Sequence, residues 1–262
     1  GIKYIVGNSY TVSGNISIGS TSPVSAVGNG TMTITGNWSN SGTFTPNAST
    51  LAFNKAGTAT FTGTTDVYNF IVNSGTILSL SNSDTIRFQS GGALTETGYI
   101  SGRVKYAQTL SSAGTNYSFG NIGAILNYTG TAPGATTILR TTGSTPSGLY
   151  QALTRYFVIT PTTKTGLNLS LKLKYKGSVE LNGQTEANIK LWRKEDGFTS
   201  WTRQTGSIVD TTNDTLSLTG VTSLSTWGFS STYARLFSVT TGNWNDSSSW
   251  SPAGIPSSGD SV

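Results

Sequence analysis

Leu51-Ala52-Phe53, Phe70-Ile71-Val72 and Ile86-Arg87-Phe88 are short strand-like triplets, and Ile16-Ser17-Ile18 and Met32-Thr33-Ile34 precede them in the same style. Their closing residues, Ile18, Ile34, Phe53, Val72 and Phe88, are separated by 16, 19, 19 and 16 positions. A second series, Val27, Phe44, Phe61, Leu78 and Leu94, steps by 17, 17, 17 and 16. Two interleaved columns with a shared period of about 17 mean that the chain returns to the same place on every turn. That is the pattern of a parallel β-solenoid, whose rungs stack at the strand spacing of ~4.8 Å. Gly14-Asn15, Gly28-Asn29-Gly30, Gly36-Asn37 and Asn73-Ser74-Gly75 fill the gaps, where corners need positive φ. An antiparallel meander also has short strands and turns, but it has no reason to repeat two columns in phase.

From about Ser101 the periodicity is lost and the strands lengthen. Leu167, Leu169, Leu171, Leu173 and Tyr175 alternate with Asn168, Ser170, Lys172 and Lys174. Strict period 2 means a strand with one face in a core and one in water. Residues 155–159, 188–193, 214–218 and 225–230 read as further strands, and an antiparallel sandwich is their natural closure. The predicted fold is therefore all-β. A parallel solenoid of about five rungs occupies 1–100 and an antiparallel sandwich 101–237, with 238–262 a linker and the first strand of a next solenoid or neighbouring subunit.

Composition narrows the chemistry. The 262 residues include no His and no Cys, so imidazole bases, thiolate nucleophiles, disulfides and His/Cys zinc sites are excluded. Charged residues make up 10% of the chain, against about 25% in an average soluble protein. The first hundred residues hold Lys3, Lys55 and Arg87 against Asp66, Asp84 and Glu96, whereas 155–203 carry nine of the sixteen bases and four acids, the whole net charge of +5. A basic strand face near Trp192 and Trp201 suggests a polyanion, but lysines on a solvated face also protect sheets from pairing, and no nucleic-acid partner is expected. No apolar run of about 18 residues spans a membrane. A thiol-free surface of hydroxyls and amides suits an extracellular or cell-surface location.

Asp66 and Asp84 recur 18 apart, each four residues before a Phe. On adjacent rungs their carboxylates would lie about 5 Å apart, the separation of a retaining glycosidase. The competing reading makes both of them corner residues. Asp210, Asn213 and Asp214 suggest either a Ca²⁺ site or an Asx turn, and the spacing fits no EF-hand loop. No catalytic residue, metal or cofactor is assigned.

The segment running through Arg155-Tyr156-Phe157-Val158-Ile159, Leu173-Lys174-Tyr175, Glu180-Leu181-Asn182-Gly183, Leu191-Trp192-Arg193 and Ser225-Thr226-Trp227 resembles the sandwich module of giant secreted cell-surface proteins of Bacteroidetes-like bacteria. Gly242-Asn243-Trp244-Asn245-Asp246, followed by Trp250 and Gly259-Asp260-Ser261-Val262, is similar to the start of their solenoid module, and Gly36-Asn37-Trp38 through Phe44 to one of its rungs. The resemblance implies tandem, adhesin-like modules exported by a C-terminal-signal (type IX) route. It also implies that Gly1, Ile2, Tyr4 and Val6 meet Ile255, Asp260, Ser261 and Val262 of a neighbouring copy, head to tail. Such bacteria glycosylate Ser or Thr after Asp, which nominates Thr85, Thr211, Thr215 and Ser261. The expected function is a non-enzymatic structural repeat of a fibre or adhesin stalk. A glycan-binding module, with stacking candidates among the six Trp residues, and a carboxylate-based polysaccharide hydrolase or lyase are the alternatives.

Overall fold

The computed structural model describes residues 3–5, 8–21, 23–26, 28–231, 237–246 and 249–251. Three strands make each turn of the N-terminal half. The first turn is β1 (Lys3–Ile5), β2 (Tyr10–Val12) and β3 (Ile16–Ile18), and the second is β4 (Val24–Ala26), β5 (Thr31–Ile34) and β6 (Trp38–Asn40). The third is β7 (Phe44–Thr45), β8 (Thr50–Phe53) and β9 (Gly57–Thr62), and the fourth β10 (Thr65–Val67), β11 (Asn69–Val72) and β12 (Thr76–Leu80). The fifth is β13 (Thr85–Phe88), β14 (Leu94–Glu96) and the start of β15 (Tyr99–Leu110). Strands pair in parallel with their counterparts one turn away, giving a three-faced parallel solenoid of about five turns. One face is interrupted between β7 and β10, which touch without a ladder.

The turn is longer than the 17 residues that apolar spacing suggests. Tyr10, Met32, Leu51, Phe70 and Leu94 stack in one column, so successive turns take 22, 19, 19 and 24 residues. Ile34, Phe53 and Val72 are a true column, but Ile18 stacks on Asn40 and Phe88 on Val67. Phe44, Phe61 and Leu94 belong to three different faces. A three-faced turn buries side chains on every face, so a constant step can hop between faces without following any one of them. The corners at Gly14-Asn15 and Gly36-Asn37 stand one full turn apart. Asn37 N–H donates to Asn15 Oδ1 at 2.8 Å, and the Asn37 carboxamide oxygen accepts Thr60 N–H at 2.9 Å. A Cβ on Gly36 would strike the Gly14 carbonyl, so this close stacking of corners requires glycine.

An aromatic ladder fills the solenoid. Trp38 meets Phe44 edge-on at 5.2 Å and stacks on Phe61 at 5.9 Å. Phe61, Phe53 and Phe70 form a triangle with centroids 5.6–6.1 Å apart. The ladder continues through Phe88, Tyr106 and Phe119 at 6.2–6.4 Å. Such offset and edge contacts are each worth about 0.5–1.5 kcal/mol beyond area burial.

β15 joins the two halves. Residues 99–101 pair with β12 on one solenoid face, and 103–105 pair with β13 on the next. Gly102 lies at the bend with φ +145°, where a Cβ would collide with Leu80. The free edge of β15 then pairs antiparallel with β17 (Gly134–Thr142), which starts a sheet continuing through β18 (Arg155–Pro161), β24 (Thr226–Ser230), β20 (Lys190–Lys194) and β21 (Thr202–Gln204). A second antiparallel sheet, β16 (Ala124–Tyr128), β19 (Leu169–Lys174), β23 (Thr215–Val221) and β22 (Ile208–Asp210), covers its inner face. The alternation read at 167–175 holds: Leu167, Leu169, Leu171, Leu173 and Tyr175 are buried, and Lys172 and Lys174 are exposed. Tyr175 and Phe157 both contact Phe229, at 5.9 and 6.2 Å. One hydrophobic cluster runs from Ile18 to Phe229, so the halves share a core.

In the tail, Phe237–Ser238 pairs antiparallel with Trp250–Ser251, and the Trp244 and Trp250 rings meet at 5.0 Å. Of the stretch 238–262, expected to be a linker and the first strand of a next solenoid or neighbouring subunit, residues 247–248 and 252–262 lie outside the described residues.

Candidate functional site

The two ends of the solenoid differ. At its C-terminal end every face is covered: two by β15, and the third, ending in β14, by the sandwich. Lys176 Nζ donates to the carbonyls of Thr97 (3.3 Å) and Gly98, and Phe119 packs on Tyr106. Glu96, the last residue of β14, reaches into the sandwich, where its Oε2 lies 2.7 Å from Arg140 Nη1 and its Oε1 accepts Ile100 N–H at 2.9 Å. Beside it, Arg155 holds the fully buried Glu180 at 2.8 Å, and Glu180 also accepts Lys176 N–H at 2.8 Å. Burial opposes ionisation of Glu96, but the Arg140 and Arg155 charges, with hydrogen bonds from Arg140 and Ile100, outweigh it and leave the carboxyl below its ordinary range. For Glu180 burial wins over the Arg155 charge and the Lys176 N–H, and the carboxyl is pushed up. Sequence reasoning balanced Glu96 within the first hundred residues. The structure gives it to Arg140, 44 positions away.

At the N-terminal end, β1, β2 and β3 have no further strand beneath them among the described residues. Tyr10, Val12 and Ile16 stack on Met32, Ile34 and Trp38, which are 5%, 0% and 1% exposed. The first-turn residues occupy the same interior columns yet are only half-buried, packed on the core from one side. The Tyr10 hydroxyl is cut off from water without a hydrogen-bond partner, and burial raises its pKa. Among the described residues this end presents an apolar rung and ladder groups without a partner strand, the features of an edge that accepts another strand.

The carboxylate pair does not assemble. Register aligns Asp66 with Arg87, which holds it at 2.7 Å, and places Asp84 three residues before Arg87 in the corner, where it accepts the Ser81 hydroxyl at 2.6 Å. Three residues along a strand are about 10 Å, so the two carboxylates do not form a pair; the corner reading describes Asp84, whereas Asp66 is the middle residue of β10. Asp210 accepts Thr212 N–H and Asn213 N–H, both at 3.1 Å, in an Asx turn, and hydrogen bonds from Asn213 lower its pKa. Asp214 instead accepts Gly177 N–H at 3.0 Å. No group of three or more acidic or other metal-ligating side chains gathers among the described residues.

Of the nominated glycosylation positions, the Thr85 and Thr215 side chains are buried in the fold and Thr211 is exposed. Of the junction candidates, Tyr4 lies in β1, its backbone paired with Ser25 of β4. Gly1, Ile2, Val6, Ile255, Asp260, Ser261 and Val262 lie outside the described residues. Trp38, Trp192 and Trp227 are buried, and Trp201 hydrogen-bonds the Ser147 carbonyl at 3.1 Å. Trp244 and Trp250 form a ring pair with Trp244 half exposed, a pairing the sequence did not disclose. No described helix is long and apolar enough to cross a membrane. Comparison with protein-family models, with curated proteins and with solved structures yields no match.

Proposed function

We propose that this chain is a non-enzymatic structural module of an extracellular fibre or adhesin stalk, stacking head to tail with copies of itself. The observation that carries this reading is the asymmetry of the solenoid: among the described residues, the sandwich covers one end, while the first rung at the other keeps half-buried apolar side chains and strand edges with no partner strand. A rung added by a neighbouring copy would complete the columns of Tyr10, Val12 and Ile16, and a non-closing contact of this kind generates a fibre. The absence of His and Cys from the sequence, and the engagement of Asp66 with Arg87, support a scaffold role over catalysis. The resemblance of the sandwich and corner residues to tandem cell-surface modules points the same way.

Sedimentation across a concentration series tests the proposal. The chain should associate, and Val12→Lys should make it monomeric while leaving its circular dichroism unchanged. A wild-type chain that stays monomeric at the highest concentrations reached would refute self-stacking.

A further inference from the structure

The outward face of the sheet that continues from solenoid into sandwich carries half-buried apolar side chains on adjoining inner strands, whereas the other sheet's outward apolar side chains, Ile125 and Ile208, stand exposed on its two edge strands. On β19 the outward residues are Ser170, Lys172 and Lys174, all exposed, as a solvated face requires. On β17 and β18 the outward residues include Leu139, Tyr156 and Val158, half-buried although no layer among the described residues lies over them to make a core. They floor two contiguous depressions of about 510 and 380 Å³, which share Arg103, Leu139 and Val158. The first is walled by the solenoid corner at Leu80 and Asn82 and by Gly143-Ser144. Both volumes fall within the range of about 300–1,000 Å³ typical of ligand sites.

Register fixes what lines this trough. One cross-strand row runs Asp66, Arg87, Lys105, Leu139, Val158, and the neighbouring row runs Thr85, Arg103, Thr141, Tyr156. Cations thus stand at the solenoid side, an aromatic and two aliphatic side chains at the sandwich side, and Thr hydroxyls between. Asp66 neutralises Arg87, but neither Arg103 nor Lys105 has a carboxylate partner among the described residues. Arg103 is oriented by the Asn82 carbonyl, to which its Nη1 donates at 2.8 Å. Asp84, between the lining residues Ser83 and Thr85, accepts the Ser81 hydroxyl.

We propose that this trough binds an acidic polysaccharide, its carboxylates meeting Arg103 and Lys105 and its sugar rings lying over Tyr156, Leu139 and Val158. Charge complementarity selects an anionic ligand, and the Thr and Ser hydroxyls suit a chain rich in hydroxyls. Duplex DNA would need a longer array of cations, since tight binders neutralise about 6–10 phosphates. A single strand would need several stacking platforms, and the trough offers the one ring of Tyr156. The site lies on the side of the solenoid, away from its open end, so it does not depend on self-stacking.

Polygalacturonate is the probe, with dextran as the neutral control and oligo-thymidylate as the competing polyanion, measured by calorimetry on the full chain at two salt concentrations. Polygalacturonate should bind and weaken with salt, and dextran should not bind. Lys105→Glu should weaken binding about tenfold, the worth of one charge-assisted hydrogen bond. Tyr156→Ala should weaken it at both salt concentrations alike. Val12→Lys should leave binding intact, which separates this site from self-stacking. No binding of polygalacturonate, equal binding of dextran, tighter binding of oligo-thymidylate, or insensitivity to Lys105→Glu would each overturn the proposal.

Discussion

Phe61→Ala probes the central claim about the N-terminal half, that a stacked aromatic ladder holds the rungs together. Phe61 is fully buried and has three ring neighbours, Trp38 and Phe53 at 5.9 Å and Phe70 at 6.1 Å. Truncating a buried Phe costs about 3–5 kcal/mol through lost transfer energy and the cavity left behind. Three aromatic contacts, each worth about 0.5–1.5 kcal/mol, place this site at the upper end, near 5 kcal/mol. Phe61→Leu refills much of the space and should cost about 1–2 kcal/mol. In a solenoid the loss falls on neighbouring rungs, because each turn contacts only those above and below. Urea denaturation should show the total loss, and hydrogen exchange resolved by peptide should show where it falls. Protection should drop in β6, β9 and β12 and much less in β19 and β23 on the second sandwich sheet. A cost under about 1 kcal/mol would refute the packed ladder, since a buried Phe→Ala cannot be so mild. A uniform loss of protection across both halves would refute the rung-by-rung reasoning and show one cooperative unit.

The remaining predictions concern the joint between the halves. Arg155→Met leaves Glu180 buried without its counter-charge and should cost about 3–5 kcal/mol, while adding Glu180→Leu should recover most of that in denaturant melts. Glu96 has a folded pKa below its unfolded one, so its contribution to stability is complete above the unfolded carboxylate pKa and is lost as pH falls through the folded value. Thermal melts should therefore lose stability below about pH 4.3, with a shallower slope in Glu96→Gln. Glu180 has the opposite sign, its raised pKa costing stability as pH rises from the unfolded value through the folded one, and Glu180→Gln should remove that loss. Gly102→Ala places a Cβ against Leu80 at a φ of +145° and should lower stability by about 1–3 kcal/mol, measured by the same melts.

What the sequence disclosed follows from which forces are local. The strand at 167–175 is legible because one face meets a core and the other meets water, so burial is written at period 2 into adjacent residues. The solenoid is legible as a solenoid for a similar reason, but its turn length is not. Every turn buries residues on three faces, and Phe44, Phe61 and Leu94 give a regular step while belonging to different ones. The turn length is written instead in the corners, where Gly14-Asn15 and Gly36-Asn37 stand 22 apart and hydrogen-bond each other. That pair reports one turn, but a three-faced turn has three corners, so corner residues spell out its length only where two equivalent corners share the same residues. β15 escapes notice because its two edges obey different rules, parallel to β12 and β13 and antiparallel to β17.

The charged joint and the trough belong to a different class of feature. Glu96 and Arg140 lie 44 residues apart, and Arg155 and Glu180 lie 25 apart, so no local pattern pairs them. Topology alone brings them together, once β14 ends where the sandwich core begins. The trough arises in the same way: Arg87, Lys105, Leu139 and Val158 form one row only because four strands share a register. Charge counting put the +5 in residues 155–203, and from that the basic surface would be sought on the sandwich. The two cations that face the trough without a carboxylate partner among the described residues, Arg103 and Lys105, lie outside that segment on the strand joining the halves. Net charge by segment therefore misplaces the site, since binding depends on which charges remain unpaired on one face, and that is decided by strand order.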